Sequence, residues 1–285
     1  MSRSRSFTSA ITQPSRDIEM TAKPRALVMS GYGLNCEDET AFALERGGCK
    51  TSIVHVNDLI DGRRGFDEFQ AMVFPGGFSF GDDTGSGNAF ANKVRNHLWD
   101  EIVRFVERDT LTLGICNGFQ ILANLGLIVP WGQVLGERTI ALLPNASARY
   151  TARWVDLEII NQETPFLRGI ERVSLPIAHG EGRFYARDAD LGLFWEHRQI
   201  GAQYVAGELC DFLQLPADPN GSLENIAAMV GGNGRILGMM PHPERAIVAT
   251  QLPHWRELRA SGSGDIVKRP GPGLQIFTNI ASYFS

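Results

Sequence analysis

The sequence predicts an α/β fold, a doubly wound and mainly parallel open sheet with an antiparallel β excursion in its second half. Three observations predict it: apolar strands alternate with amphipathic helical segments up to Leu127, extended β-branched stretches follow, and a glycine-rich turn joins two of those stretches. Strands that alternate with helices form parallel sheets, and the ligands of such sheets lie beyond the carboxyl ends of the strands.

The first half of the chain supplies the strands of the parallel part. Short apolar runs predict buried strands, and apolar residues three to four positions apart predict helices. The predicted strands are 26–29, 52–56, 71–74 and 111–115, and the predicted helices are 37–46, 90–107 and 121–125. Gly47 and Gly48 end the first helix, because glycine readily adopts the left-handed conformation that terminates helices.

The second half has the antiparallel pattern. Its extended segments are 154–160, 173–175 and 203–205. Two further segments, 226–230 and 235–239, flank Gly231-Gly232-Asn233-Gly234, which is a strong hairpin-turn signal. A last amphipathic helix is predicted near 274–284.

One domain is predicted over residues 25–285, after a disordered leader at 1–24. The leader is rich in Ser, Thr and Arg and lacks hydrophobic periodicity. Two alternatives for it stay open: a transit peptide, and translation that begins at Met20. Residues 253–273 contain Ser-Gly and Pro-Gly repeats, which predict a loop insertion.

Composition excludes several classes of partner and site. The 27 basic and 32 acidic side chains give a net charge of -5 without a basic run, so we expect no nucleic acid partner. No apolar run approaches the ~18–20 residues that span a bilayer, so no membrane partner is expected. The four cysteines form no CxxC pair and the histidines show no ligand spacing. We therefore expect no metal and a cytoplasmic protein.

Two further sequence patterns indicate no site. Asn145 and Asn220 begin glycosylation triplets, which carry no weight without a secretory signal. No phosphate-binding GxxxxGK[ST] loop exists in the chain, so no cofactor is expected in it.

The sharpest motif is Gly114-Ile115-Cys116-Asn117-Gly118, between an apolar strand and a helical segment. It has the pattern of a nucleophile elbow with Cys116 as the nucleophile. The flanking glycines avoid collisions at a strained turn, and the helix N-terminus favours a thiolate. The alternative, a buried structural thiol, is the expectation for Cys36, Cys49 and Cys210.

A cysteine nucleophile needs a base and a group that orients the base. His242 is the candidate base, with Glu244 two residues later in an expected extended segment, where residues i and i+2 point the same way. Glycines follow the third strand at Pro75-Gly76-Gly77. Backbone N–H groups there and at Asn117 are expected to form an oxyanion hole around Gly77 and Asn117.

Five motifs together resemble the class I (triad) glutamine amidotransferase family, and within it the glutaminase subunits of phosphoribosylformylglycinamidine synthase. They are Asn35-Cys36-Glu37 with Glu39-Thr40, and segments 75–82, 114–120, 179–184 and 240–245. Similarity extends over about residues 25–250 and the last helix. The leader and segment 253–273 have no counterpart in the family core, and residues 83–89 are nearer to the fused large form.

The resemblance implies a flavodoxin-like fold and hydrolysis of glutamine through a thioester on Cys116. It assigns His242 as the base and Glu244 as its orienter. It also places five residues at the bound glutamine: Gly76, Phe78, Gln120, His179 and Glu181. The implied partner is an ATP- and Mg-dependent synthetase, with a small bridging subunit as a further possible partner, which converts formylglycinamide ribonucleotide to the amidine in purine biosynthesis.

Three other functions stay open at this point. The chain could serve another ATP-dependent amidotransferase. It could be a Cys-His peptidase or chaperone of similar fold, but a His close behind the elbow is expected there, and position 117 is Asn. It could also be a glutamine-binding regulatory subunit without activity, which the presence of all three triad residues disfavours.

Overall fold

The computed structural model of the protein describes residues 22–262 and 265–285. The predicted leader at 1–24 therefore lies outside the described residues except for its last three positions, and it stays a prediction.

The main sheet has nine strands in the order β2-β1-β3-β4-β11-β10-β9-β6-β7, and β5 and β8 form a separate two-stranded sheet. The strands are β1 (Arg25–Ser30), β2 (Lys50–His55), β3 (Ala71–Phe74), β4 (Leu111–Ile115), β5 (Ile140–Pro144), β6 (Thr151–Ile159), β7 (Arg172–His179), β8 (Glu181–Ala186), β9 (Ile200–Val205), β10 (Ile226–Gly231) and β11 (Ile236–Met239).

Eight α-helices are present among the described residues. They are α1 (Glu37–Gly47), α2 (Val56–Ile60), α3 (Asn88–Glu107), α4 (Asn117–Leu125), α5 (Asp188–Glu196), α6 (Glu208–Leu213), α7 (Trp255–Ala260) and α8 (Leu274–Tyr283). Helices cover both faces of the sheet. None of the helices in 22–262 and 265–285 is long and apolar enough to cross a membrane.

The pairing of the strands confirms the predicted fold class. Strands β2, β1, β3, β4 and β11 are parallel, whereas β10, β9, β6 and β7 pair in the antiparallel sense. The β10–β11 hairpin forms at the predicted turn, with Gly231 opposite Ile236. Because β11 returns beside β4 as a parallel strand, the chain that follows β11 emerges at the same sheet edge as the chain that follows β4.

Helix α3 shows how the apolar pattern produces the core. Its buried side chains recur at helical spacing and include Phe90, Val94, Leu98, Ile102 and Phe105. Each such side chain contributes about 1.5–3 kcal/mol when it is removed from water. The helix packs on α4, and α1 packs on α8, so the apolar side chains of both pairs join the common core.

Local capping explains where β2 differs from its predicted bounds. The strand ends at His55, because the imidazole Nδ1 of His55 accepts a hydrogen bond from the Asn57 N–H at 3.1 Å and caps α2. The predicted strand extends to Val56, which is the first residue of that helix. Helices α5 and α6 and the β5–β8 sheet have no counterpart among the predicted elements, and α7 lies inside the segment 253–273 that was predicted to be a loop.

Candidate active site

Cys116 occupies a strained turn between β4 and α4. Its backbone angles are φ 50° and ψ -107°, a combination that costs energy for any residue with a side chain. The surrounding structure holds the turn in place: the Cys116 N–H donates to the Met239 carbonyl at 2.8 Å, and its own carbonyl accepts from the Gln120 N–H at 3.1 Å. Strain maintained in this way is typical of functional sites.

The two glycines that flank the elbow have no space for a side chain. A Cβ atom on Gly118 would lie 1.8 Å from the Phe74 carbonyl oxygen, and one on Gly114 would lie 2.7 Å from the Gly118 carbonyl oxygen. The helix can therefore approach β3 and β4 closely enough to form the tight turn. The thiol of Cys116 lies at the N-terminus of α4, where the helix dipole stabilises negative charge.

His242 and Glu244 form a buried pair next to this thiol. The imidazole Nδ1 lies 2.5 Å from the Glu244 Oε1, and both residues are almost fully buried. The predicted contact is present, but the expected extended segment is wrong: Pro243–Arg245 form a single 3-10 turn. The turn brings the carboxylate back to the imidazole, and a hydrogen bond from the His242 N–H to the Pro176 carbonyl at 2.8 Å ties it to β7.

The environment of His242 favours its charged form. Burial by itself lowers the pKa of the imidazole, but the Glu244 carboxylate and the Cys116 thiolate outweigh burial and raise the pKa of His242 to about 10. Since Nδ1 is held by Glu244, the buried Nε2 is the nitrogen left for the sulfur. The arrangement therefore keeps His242 protonated at neutral pH beside the Cys116 sulfur.

The glycine-rich loop after β3 lies against the elbow. The Asn117 side chain joins them, because its Oδ1 accepts from the Ser79 N–H at 3.2 Å. Gly77 has φ 151°, and a Cβ there would lie 2.4 Å from the Gly33 carbonyl oxygen. No hydrogen bond of the described chain engages the Gly77 N–H, and the Asn117 N–H has no acceptor within α4 because it begins the helix. The two predicted oxyanion donors are thus available.

Gly76 forms the wall beside the imidazole. A Cβ on Gly76 would lie 2.7 Å from the His242 Cε1 and 3.1 Å from the Cys36 sulfur. The glycine therefore allows the loop to contact the base directly. Phe78, two residues later, is 42% exposed, and its ring lies 6.1 Å from the Tyr150 ring.

Gln120 and Glu181 connect the elbow to β8. The Gln120 amide donates to the Glu181 carbonyl, and its Oε1 accepts from the Asn117 Nδ2 at 2.9 Å. The Glu181 carboxylate accepts from the Ser86 N–H at 3.0 Å. Gln120, Glu181 and Ser86 line a cavity of about 710 Å³ next to the elbow, and Cys116 is not among its lining residues.

His179 is buried at the end of β7, next to the turn that leads to β8. Burial and the nearby charge of His242 lower the pKa of His179 to about 4, so the imidazole is neutral at physiological pH. Its Nδ1 contacts the Asn145 Oδ1 at 3.0 Å, and its Nε2 is buried without a hydrogen bond in the described chain. An unpaired buried nitrogen is available to a ligand.

Asn145 holds this turn. It is not among the site residues that the sequence predicts. Its amide donates to the His179 carbonyl at 2.9 Å, and its Oδ1 accepts from the Gly182 N–H at 3.2 Å. Asn220 supports the same turn through the Gly182 carbonyl, at 2.9 Å. Both asparagines begin the rejected glycosylation triplets and are buried. Their part in this turn has no local signal, because the contacts that hold it reach across 34 to 38 positions.

Tyr150 is a second residue that the sequence missed. Its ring lies near Phe78 and within 3.9 Å of the position of a Cβ on Gly180. Burial, with a smaller effect of a charge on Cys116, raises the pKa of Tyr150. The side chain is 54% exposed, whereas Cys116 is 4% exposed. Tyr150 is therefore part of the rim above a nearly covered nucleophile.

One cluster has the composition of a metal site. The Cys36 sulfur and ligand atoms of His242 and Glu244 lie within 4.8 Å of one another. The Arg245 guanidinium contacts the Cys36 sulfur at 3.0 Å and lies 3.9 Å from the Glu244 carboxylate, and its positive charge disfavours a second cation at this place. The expectation of no metal stays a prediction.

Comparison with known proteins gives the family. Residues 23–284 match the model of the CobB/CobQ-like glutamine amidotransferase domain. The chain is 44% identical over 266 residues to phosphoribosylformylglycinamidine synthase subunit PurQ of Methanococcus maripaludis, covering 92% of this chain and 98% of that one. It is 38% identical over 263 residues to the subunit of the same name from Dehalococcoides mccartyi, with the same two coverages.

A solved structure agrees with these relatives. A chain in the structure of PurLQS from Thermotoga maritima superposes with a TM-score of 0.69 at 32% identity, covering 93% of this chain and all of that one. The family model and the relatives each span nearly the whole described chain. The protein therefore belongs to the glutamine amidotransferase family, in its PurQ group.

Proposed function

We propose that this chain is the glutaminase subunit of a phosphoribosylformylglycinamidine synthase. It hydrolyses glutamine to glutamate and ammonia, and a synthetase subunit uses the ammonia to convert formylglycinamide ribonucleotide to formylglycinamidine ribonucleotide in de novo purine biosynthesis. The observation that carries the chemistry is the buried His242–Glu244 pair, with Nδ1 and Oε1 2.5 Å apart, next to Cys116 on a strained elbow.

The first half of the reaction forms a thioester. The Cys116 thiolate attacks the carboxamide carbon of glutamine, and the C=O electron pair moves to oxygen, where the N–H groups of Gly77 and Asn117 stabilise the negative charge. The His242 imidazolium then protonates the amide nitrogen, the C–N bond breaks, and ammonia leaves. Glu244 keeps the imidazole in the orientation and protonation state that this transfer needs.

The second half releases glutamate. Neutral His242 takes a proton from water, and the resulting hydroxide attacks the thioester carbon. The C–S bond breaks when the tetrahedral intermediate collapses, so the thiolate and the imidazolium are regenerated. Each turnover consumes one water and one glutamine and yields one glutamate, one ammonia and the proton that the new carboxyl group releases.

Several side chains support recognition of the amino acid. The carboxyl groups of Glu181 and the neighbouring Asp82 offer acceptor oxygens that suit an α-ammonium group. The free Nε2 of neutral His179 offers one more polar contact. Gly76 borders the imidazole of His242, and Phe78 follows it on the same loop with its ring near Tyr150. Gln120 fixes the distance between the elbow and residue 181.

Ammonia chemistry explains the need for a partner. Free ammonia in neutral water is captured as ammonium, so its production is useful only next to a synthetase. The Thermotoga maritima relative is part of a PurLQS assembly, and this chain has corresponding partners in the proposal: a synthetase subunit and a small bridging subunit.

ATP and Mg bind to the synthetase, and this chain needs no cofactor of its own. The proposed site of action is the cytoplasm, which suits four free thiols.

The test is glutamine-dependent amidine synthesis by the chain and its synthetase, purified together. Wild type should use both glutamine and added ammonium salts, whereas Cys116→Ala should lose glutamine-dependent synthesis and keep ammonia-dependent synthesis. Cys49→Ala is the matched control, because burial raises the pKa of this thiol to about 11 and keeps it unreactive. Loss of both activities in Cys116→Ala, or of neither, would contradict the proposal.

A further inference from the structure

A charged cluster lies behind the catalytic pair, outside the residues that the proposed reaction uses. It consists of Cys36 and Glu39 at the start of α1 and of Arg245, which follows Glu244. Cys36 is 1% exposed, and its N–H donates to the Gly76 carbonyl at 3.2 Å. The first turn of α1 is thus attached to the loop that forms the wall of the imidazole.

Arg245 connects three groups of this cluster. Its Nη2 donates to the Cys36 sulfur at 3.0 Å and contacts the Glu39 Oε1 at 3.4 Å. Its Nε lies 3.9 Å from the Glu244 Oε1, the same oxygen that contacts His242. The guanidinium therefore links α1 to the turn Pro243–Arg245.

Glu244 needs such a counter-charge. Its side chain is fully buried, and its Oε2 has no hydrogen bond partner in the described chain. A buried carboxylate with a single partner is costly. Among the described residues, the cationic side chains that form ion pairs with it are His242 and Arg245. Because His242 changes its charge during the reaction, Arg245 is the constant positive charge.

Cys36 acts here as a neutral anchor. Burial raises the pKa of the Cys36 thiol far above its usual range, so the thiol stays protonated and is no second nucleophile. Its sulfur accepts from Arg245 and also lies near the imidazole, since a Cβ on Gly76 would meet both the Cys36 sulfur and His242. When Arg245 holds the Cys36 sulfur in place, the Gly76 segment against which the His242 imidazole packs is held in place as well.

We propose that Arg245 is a positioning residue of the triad, which holds Glu244 and His242 against the first turn of α1 by binding the Cys36 sulfur and Glu39. The inference rests on the proposed reaction. The positive charge of Arg245 also favours the deprotonated state of nearby titratable groups. The other titratable groups around His242 and Cys116 are Glu39, Cys36, His179, Tyr150 and Tyr204.

The test measures the second-order rate of alkylation of Cys116 by iodoacetamide between pH 4 and 10, resolved by peptide mass spectrometry. It requires no glutaminase turnover, so it separates this inference from the proposed function. Arg245→Gln should move the acid limb to higher pH by roughly half a unit or more, because a nearby positive charge is lost. Arg245→Lys restores the charge and should return the limb towards wild type.

Cys36→Ala separates the effect of the Arg245 charge from the effect of the anchor, and a surface variant controls for unspecific effects of substitution. Cys36→Ala keeps the charge but removes the anchor, so alkylation should slow at its plateau without a shift of the acid limb. The control is Arg104→Gln, which removes a surface ion pair between Arg104 and Glu101 on α3. It should change neither the plateau rate nor the acid limb. If Arg245→Gln does not fold by its thermal melt, Cys36→Ala must still show the slower plateau. A wild-type profile in Cys36→Ala, together with a wild-type acid limb in Arg245→Gln where that variant folds, would overturn the inference.

Discussion

The Nδ1 of His242 lies 2.5 Å from the Oε1 of Glu244 because a 3-10 turn, and not an extended segment, separates the two residues. The turn directs the carboxylate under the imidazole and leaves Nε2 for the Cys116 sulfur. This geometry predicts how the two residues respond to substitution.

His242→Ala should be about as damaging as loss of the nucleophile, and Glu244→Gln should be milder. The base transfers the proton, whereas the orienter acts through the base. Because triad members act as a unit, the double variant should cost little more than His242→Ala alone. Single-turnover formation of the thioester measures these losses, with His97→Ala on the exposed side of α3 as the control. Additive losses would contradict a shared triad.

The pH dependence of glutamine hydrolysis should depend on Glu244. Its carboxylate stabilises the imidazolium, and the pKa of His242 is raised to about 10, so activity should persist until His242 deprotonates near that pH. Glu244→Gln removes the negative charge that opposes the effect of burial on His242. The pKa of His242 therefore falls, and the alkaline limb of kcat/KM should move to lower pH. An alkaline limb that stays in place would show that another group controls it.

Asn145→Ala should weaken glutamine binding without harming the nucleophile. The change leaves the His179 carbonyl and the Gly182 N–H unpaired in a buried turn, at a cost of about 1–3 kcal/mol for each buried group. KM for glutamine should rise, while the rate of Cys116 alkylation stays the same. Asn279→Ala on α8, whose amide also donates to two backbone carbonyls, is the control. A slower alkylation in Asn145→Ala would place the damage at the elbow.

Two Gly→Ala changes should affect stability in opposite directions. In Gly118→Ala the new Cβ would lie 1.8 Å from a backbone oxygen, and overpacking of this kind costs about 1–3 kcal/mol or more. Gly192 lies in α5 with nothing within 4 Å of its Cβ position, so Gly192→Ala should stabilise the protein by about 0.5–1 kcal/mol. Urea unfolding measures both. Equal effects of the two changes would mean that the elbow can move away from β3.

The isolated chain should hydrolyse glutamine slowly, and its synthetase should raise the rate. Cys116 is only 4% exposed, and the rim around it includes the exposed side chains Phe78 and Tyr150. The loop that carries Gly77 lies next to this rim, and one missing oxyanion donor typically costs ~10²–10³ in rate. Glutamate release is measured with and without the partner and its nucleotide substrate. A chain that reaches full rate alone would instead be a stand-alone amidase.

The sequence alone determined the features whose causes are local. A nucleophile elbow needs only a strand, a tight turn and a helix within a dozen residues, and the glycines around Cys116 mark that turn. The β10–β11 hairpin is likewise specified by Gly231 to Gly234, and the alternation of strands and helices determines the parallel sheet. These patterns are readable because backbone geometry restricts which residues can occupy them.

The tertiary structure decided how distant segments complete the site. Arg245 and Cys36 are 209 positions apart, and Asn145 and His179 are 34 apart. No periodicity or spacing encodes such contacts, because they depend on which strands become neighbours and on the exact path of each turn. The position of β11 beside β4 brings His242 to Cys116, and the packing of α1 against the turn after β11 brings Arg245 to Cys36. Burial then shifts the pKa values, which depend on the folded environment of each group and not on its neighbours in the chain.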